Sequence, residues 1–130
     1  MKKTHLAIIS LFAVTLAFSF CTKSNHTAPV SIVGTWTVDS QLVKVIVNNQ
    51  PVYQTYYNQA FDYYDFTVDS VSLRWNGTDY APTHYTIVSK NGQRLVQYAT
   101  IADTILSLTA HSLILKSHLG SDSKIFFTRF

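Results

Sequence analysis

Beyond residue 30 the chain alternates between apolar and polar positions. Val71, Leu73 and Trp75 fall on one side of an extended strand while Ser72, Arg74 and Asn76 fall on the other. Val43, Val45 and Val47 likewise oppose Lys44 and Asn48, with Ile46 the exception. A period of two is the signature of a strand that buries one face. Segments 33–38, 42–48, 52–57, 61–68, 71–75, 84–89, 94–101, 105–109, 113–117 and 124–130 each read as a short strand. Between several of them lie Asn48-Asn49-Gln50-Pro51, Asn76-Gly77-Thr78-Asp79, Lys90-Asn91-Gly92-Gln93 and Gly120-Ser121-Asp122-Ser123. These are turn chemistry, and Asn-Gly is the strongest short hairpin signal because the favoured two-residue turn needs positive φ at both positions. No later stretch carries a helical period. Many short strands joined by tight turns imply an all-β antiparallel meander that hides its edges by closing into a barrel or packing as a sandwich.

The N-terminal segment has another pattern. Lys2 and Lys3 precede an unbroken run of apolar and small residues from Leu6 to Phe20, the n-region and h-region of an export signal. The run is shorter than the roughly 20 residues a spanning helix needs. Cys21, the sole cysteine, follows it directly. Leu16-Ala17-Phe18-Ser19-Phe20-Cys21 resembles a bacterial lipobox, with Phe20 departing from the usual small residue, and the resemblance implies a diacylglyceryl group on Cys21. A lone thiol in an exported chain otherwise has no disulfide partner. An ordinary cut after Ser19, behind the small pair Ala17 and Ser19, is the alternative and predicts a freely secreted domain.

Residues 22–29 are polar and aperiodic, so residues 21–30 read as a lipidated cysteine with a flexible tether of about 15 Å reach. Neither an aspartate nor an acidic run follows Cys21, which by resemblance to known sorting signals places the protein at the outer membrane, facing the periplasm. Residues 31–130 form one domain with a small core. Two of the ten basic residues leave with residues 1–20, so eight face seven acids, a charge of +1. That balance argues against a nucleic-acid surface. All seven acids are aspartate, and threonine, valine, tyrosine and phenylalanine abound, a composition for strands and turns.

The strand residues also carry a family resemblance. Ile32-Val33-Gly34-Thr35-Trp36-Thr37-Val38 is similar to the first strand of lipocalin-like domains, marked by glycine, any residue, tryptophan. Residues 105–115 resemble the late hairpin of small lipocalin-like lipoproteins of Bacteroidetes-type bacteria, and Thr128-Arg129-Phe130 matches their terminal arginine. The resemblance extends loosely over residues 32–130. It implies a small lipocalin-like barrel in which Trp36 closes one end, Arg129 lies over the indole, and Gly34 permits a close crossing of the backbone. It also implies a binding protein, not an enzyme, for a small apolar or amphipathic ligand; the alternative is a protein-interaction or inhibitor module with a filled barrel. Phe66, Leu73, Ile87, Leu106, Leu113 and Phe127 are the expected interior.

Candidate chemistry is sparse. His26, His84, His111 and His118 lack metal-site spacing, no serine sits in a nucleophile elbow, and Asp62, Asp65 and Asp69 read as solvated carboxylates. No metal, cofactor or catalytic residue is expected, and the domain is expected to be monomeric. Binding potential concentrates in Tyr53, Tyr56, Tyr57, Tyr63 and Tyr64. Rings with a polar tip suit a cavity mouth; equally, they make cross-strand aromatic pairs. Asp69-Ser70-Val71 and Asp103-Thr104-Ile105 resemble the O-glycan acceptor triplet of Bacteroidetes-type bacteria.

Overall fold

The computed structural model describes residues 30–58, 61–117 and 122–130. Nine strands follow in chain order: β1 (Gly34–Val47), β2 (Gln50–Tyr57), β3 (Tyr63–Phe66), β4 (Ser70–Trp75), β5 (Thr78–Lys90), β6 (Gln93–Tyr98), β7 (Ile101–Leu108), β8 (Ser112–Ser117) and β9 (Ser123–Arg129). No helix occurs among the described residues. The sheet runs β2-β1-β3-β4-β5-β6-β7-β8-β9, all antiparallel, and β9 returns to pair with β1. Eight strands therefore close into a ring, the up-and-down closure of small lipocalin-like barrels. β2 is an extra strand, paired among the described residues only with the far half of β1.

The turns follow from their sequences. Asn48-Asn49, Asn76-Gly77 and Asn91-Gly92 each have positive φ at both central positions, between 50° and 75°. That is the mirror-image turn whose twist matches the flanking strands. Ala99-Thr100 also joins two strands directly, with Tyr98 opposite Ile101 and Ala99 at φ 49°. Alanine does not favour that conformation, so the sequence carries no sign of the turn, and the expected strand 94–101 is in fact split between β6 and β7.

Bulges account for the other departures from the expected strands. Val38 pairs with Phe127 but Ser40 with Phe126, so Asp39 is an extra residue and the inward positions change from Trp36 and Val38 to Gln41 and Val43. The change of phase makes one 14-residue strand look like two in the sequence. A second shift lies where Val71 pairs with Thr83 and Leu73 with Tyr80, which places Pro82 in the irregular stretch of β5. Proline has no amide for the ladder, so a bulge accommodates it. A third shift, between Ile105 and Ser107, turns Leu106 outward to 44% exposure. Ile87 is 38% exposed although it pairs with the buried Val96, because the register of β4 with β5 ends at His84. The expected interior is thus corrected at Leu106 and Ile87, while Phe66, Leu113 and Phe127 are buried and Leu73 packs against the core.

An up-and-down meander sends alternate turns to opposite ends. One end gathers the start of β1, the β3–β4, β5–β6 and β7–β8 connections and the chain terminus. It is filled: Trp36, Phe66, Val71, Val96, Leu113, Leu115 and Phe127 are all nearly inaccessible. Trp36 donates its indole N–H to the Ile32 carbonyl at 2.7 Å, and the Arg129 guanidinium lies 4.5 Å from the indole centroid. Arg129 also donates to the carbonyls of Ser31 at 2.8 Å and Val33 at 3.2 Å, strapping the entering segment across this end. Gly34 has φ 134°, a conformation closed to side chains, while a Cβ there would lie an ordinary 3.6 Å from Arg129 Nε. The demand on this glycine is therefore conformational more than spatial.

Candidate functional site

The opposite end is hollow. A cavity of about 380 Å³ opens there, walled by Leu73, Trp75, Tyr80, Ile101 and Ile125 and carrying the polar groups of Gln41, Tyr64, Tyr98, Ser117 and Ser123. The room arises from two small residues. Along β8 the inward positions are Leu113, Leu115 and Ser117, and along β9 they are Phe127, Ile125 and Ser123. Ser117 and Ser123 face each other in register, so two hydroxymethyl groups stand where the layers beneath hold leucine and isoleucine. The volume falls within the range of small-molecule sites.

Tyr64 stands at the junction of filled and hollow halves. Its ring packs edge-on against Phe127 at 5.0 Å, Tyr98 at 6.3 Å and Trp75 at 6.4 Å between centroids. Beside it the Tyr98 hydroxyl donates to Asp103 Oδ2 at 2.8 Å. Asp103 is 1% exposed, a carboxylate inside the barrel opposite Val96. Burial pushes the Tyr64 hydroxyl up to about 12, and the carboxylates of Asp103 and Asp62 add to the shift. Burial also raises Tyr98, reinforced by Tyr64 and Asp103.

These shifts have a consequence for stability. A tyrosine that holds its proton more tightly when folded contributes stability fully present below its unfolded value, 10.0, and lost as pH rises through the folded value. Tyr64 alone should remove on the order of 2 to 3 kcal/mol between about pH 10 and 12. Denaturant midpoints measured across that window should fall steeply for the wild type and less steeply for Tyr64→Phe. Equal slopes for the two would contradict a neutral, buried Tyr64.

The structure separates the five clustered tyrosines. Tyr64 alone reaches the cavity; Tyr63, the next residue on β3, takes the opposite face and is half-buried. Tyr56 and Tyr57 line a neighbouring recess with Asn58, Asp62 and Asn76, and this recess shares Gln41 and Trp75 with the cavity. Tyr53 lies on β2, whose eight residues are all exposed, and Tyr57 is 77% exposed. Asp62 is a correction: it is buried, and its carboxylate accepts from the amides of Asn76 at 3.0 Å and Gly77 at 3.3 Å. It thereby ties the approach to β3 to the β4–β5 turn at the cavity rim. Asp65 accepts from the Thr35 hydroxyl at 2.8 Å. Thr104 is 5% exposed, out of reach of a glycosyl transferase in the folded barrel, while Ser70 is half-exposed in a turn closed by Thr67. Cys21 and residues 59–60 lie outside the described residues, as do His26 and His118. His84 and His111 are exposed, and no group of three potential metal ligands occurs among the described residues.

Trp75 and Tyr98 line the cavity and Asp103 is buried behind Tyr98, and none of the three stood out in the sequence as a site residue. Trp75 had a signal, since it shares a face with Val71 and Leu73. Ser117 and Ser123 had one too, as small polar residues at inward positions of alternating strands. Asp103 had none that distinguishes it from a solvated aspartate. No family model matches the sequence, and no curated protein or solved structure matches the chain.

Proposed function

We propose that the chain is an exported lipoprotein, anchored through Cys21 at the outer membrane and facing the periplasm, whose lipocalin-like barrel binds a small apolar or amphipathic molecule. The hollow end of the barrel carries this reading: about 380 Å³ bounded by aromatic and aliphatic walls with a few convergent polar groups. Such a combination is the usual form of a small-molecule site. The opposite end is sealed by Trp36 and Arg129, so a ligand enters and leaves by one mouth. The role is binding, with no catalytic group assigned.

The test is titration of the full chain with an environment-sensitive apolar dye. Saturation at about one site per chain is expected, and no saturable binding by the folded protein would contradict the reading. The anchor is tested separately: Cys21→Ser should move the protein from the membrane to the soluble fraction without unfolding it. If it fractionates like the wild type, the anchor does not reside at Cys21.

One observation favours a second reading. β2 ends the strand order, all its residues are exposed, and its outer edge is unpaired among the described strands. An open edge displaying Val52, Tyr53 and Tyr56 suits strand addition by a protein partner. That reading predicts a crosslinked envelope partner that is lost when 49–60 is replaced, and no dye in the barrel.

A further inference from the structure

The barrel wall is incomplete beside the cavity. β1 pairs with β3 from Gly34 to Thr37 and with β2 from Ser40 onward, while β3 ends its pairing with β4 at Tyr63 and Arg74. Trp75 and Asn76 lie past that point, so no residue of β3 stands between them and β1. The neighbouring recess, about 380 Å³, occupies this gap, with Val38 and Gln41 on the β1 side, Trp75 and Asn76 on the β4 side and Tyr57 at the end of β2. It adjoins the cavity at Gln41 and Trp75, which line both. Its chemistry differs from that of the cavity. The side-chain amides of Gln41 and Asn76 and the indole N–H of Trp75 have no hydrogen-bond partner among the described residues, and Tyr57 presents its ring at 77% exposure. The ionised group of the recess, Asp62, is already engaged by the backbone amides of Asn76 and Gly77. What remains for a ligand is neutral: two amides that donate and accept, an indole donor and a flat aromatic face. A pyranose matches that set, because its C–H face is apolar and lies on an aromatic ring while the hydroxyls at its rim donate and accept.

We propose that the protein binds a glycoside with an apolar tail, its sugar in the recess against Tyr57 and Asn76 and its tail in the cavity along Leu73, Ile101 and Ile125. This rests on the reading of the barrel as a ligand-binding protein and specifies the head group of its amphipathic ligand. Gln41 and Trp75 stand where head and tail meet. The glycosidic oxygen at that junction only accepts hydrogen bonds, and the Trp75 indole only donates.

The experiment compares octyl β-glucoside, octyl diethylene glycol ether and octanol as competitors of the bound apolar dye on the full chain, with the glucoside kept below its micelle-forming concentration. The three share a tail and differ in the head. The glucoside is expected to compete at least tenfold more strongly than octanol, and more strongly than the ether. Tyr57→Ala removes the aromatic face, and Asn76→Gly removes an amide while keeping a residue that suits the positive φ of the turn. Both positions are exposed, and each substitution should bring the ratio of glucoside to octanol within about threefold. The ratio is read within each variant, so a change in the dye's own affinity cancels. Equal or stronger competition by octanol, with the dye bound normally, overturns the sugar head and leaves the binding reading intact. Equal competition by the ether overturns it too, since any neutral polar head would then serve. An unchanged ratio in either variant also overturns it. Absence of dye and of all three competitors from the folded chain overturns both.

Discussion

Trp36→Ala is expected to destabilise the protein by about 3 to 5 kcal/mol, the range for removing a buried aromatic side chain. Trp36 is fully buried, sits at the centre of the closed end, and ties three separate parts of the chain together there. Its indole N–H holds the Ile32 carbonyl, its face carries Arg129 from the last strand, and its own strand pairs with both β3 and β9. Deleting the ring leaves a cavity that the closed sheet cannot collapse to fill, since every strand of the ring is held by two neighbours. Arg129→Ala should cost less, because it loses two hydrogen bonds and a cation–π contact of roughly 0.5 to 2 kcal/mol. The double mutant separates contact from coincidence: residues that touch show a coupling of about 0.5 kcal/mol or more. Urea midpoints for the four proteins give the cycle, and strict additivity would contradict the Trp36–Arg129 contact as a stabilising one.

Ser123→Leu should abolish ligand binding without unfolding the barrel. Ser123 is buried, faces Ser117 across the β8–β9 pair, and borders the cavity where the wall has no bulk. A leucine there projects into existing space. Burying its side chain stabilises by about 1.5 to 3 kcal/mol, and crowding of Gln41 and Tyr64 offsets about 1 to 3 kcal/mol. The net change in stability should therefore be small, while dye affinity should fall at least tenfold. Tyr56→Ala is the control: its ring lies half-exposed beside the recess outside the cavity, and binding should stay within about twofold of the wild type. Retained binding in Ser123→Leu with loss in Tyr56→Ala would move the site from the barrel interior to its flank.

These two variants also mark how far the sequence carries. Alternation exposed the strands and Asn-Gly the hairpins, because both depend on neighbours along the chain. The paired residues Trp36 and Arg129 were visible through a resemblance in motif order, and their distance of 4.5 Å is a property of closure that no local pattern contains. Bulges at Asp39, near Pro82 and at Leu106 were invisible for a definite reason: each inverts the inward phase halfway along a strand, so a fixed period misassigns whatever follows. The Ala99-Thr100 turn lacks any turn residue. The tyrosine cluster drew notice by its density, yet density in sequence says nothing of which face each ring takes. Tyr63 and Tyr64 are neighbours on one strand and face opposite sides of the wall. The site itself is made of what is missing, two serines at inward positions, and of a buried aspartate whose environment exists only once seven other strands surround it.

The central claim is that the hollow end of the barrel is where a ligand sits. It is tested most directly by recording methyl and aromatic resonances of the full chain as the apolar dye is added. Binding in the cavity predicts shifts concentrated at Leu73, Ile101, Ile125 and the Tyr64, Trp75 and Tyr98 rings, with Trp36 unmoved beneath its closed floor. Shifts confined to Val52, Tyr53 and Tyr57 on the outer strand, or none at all, would contradict it.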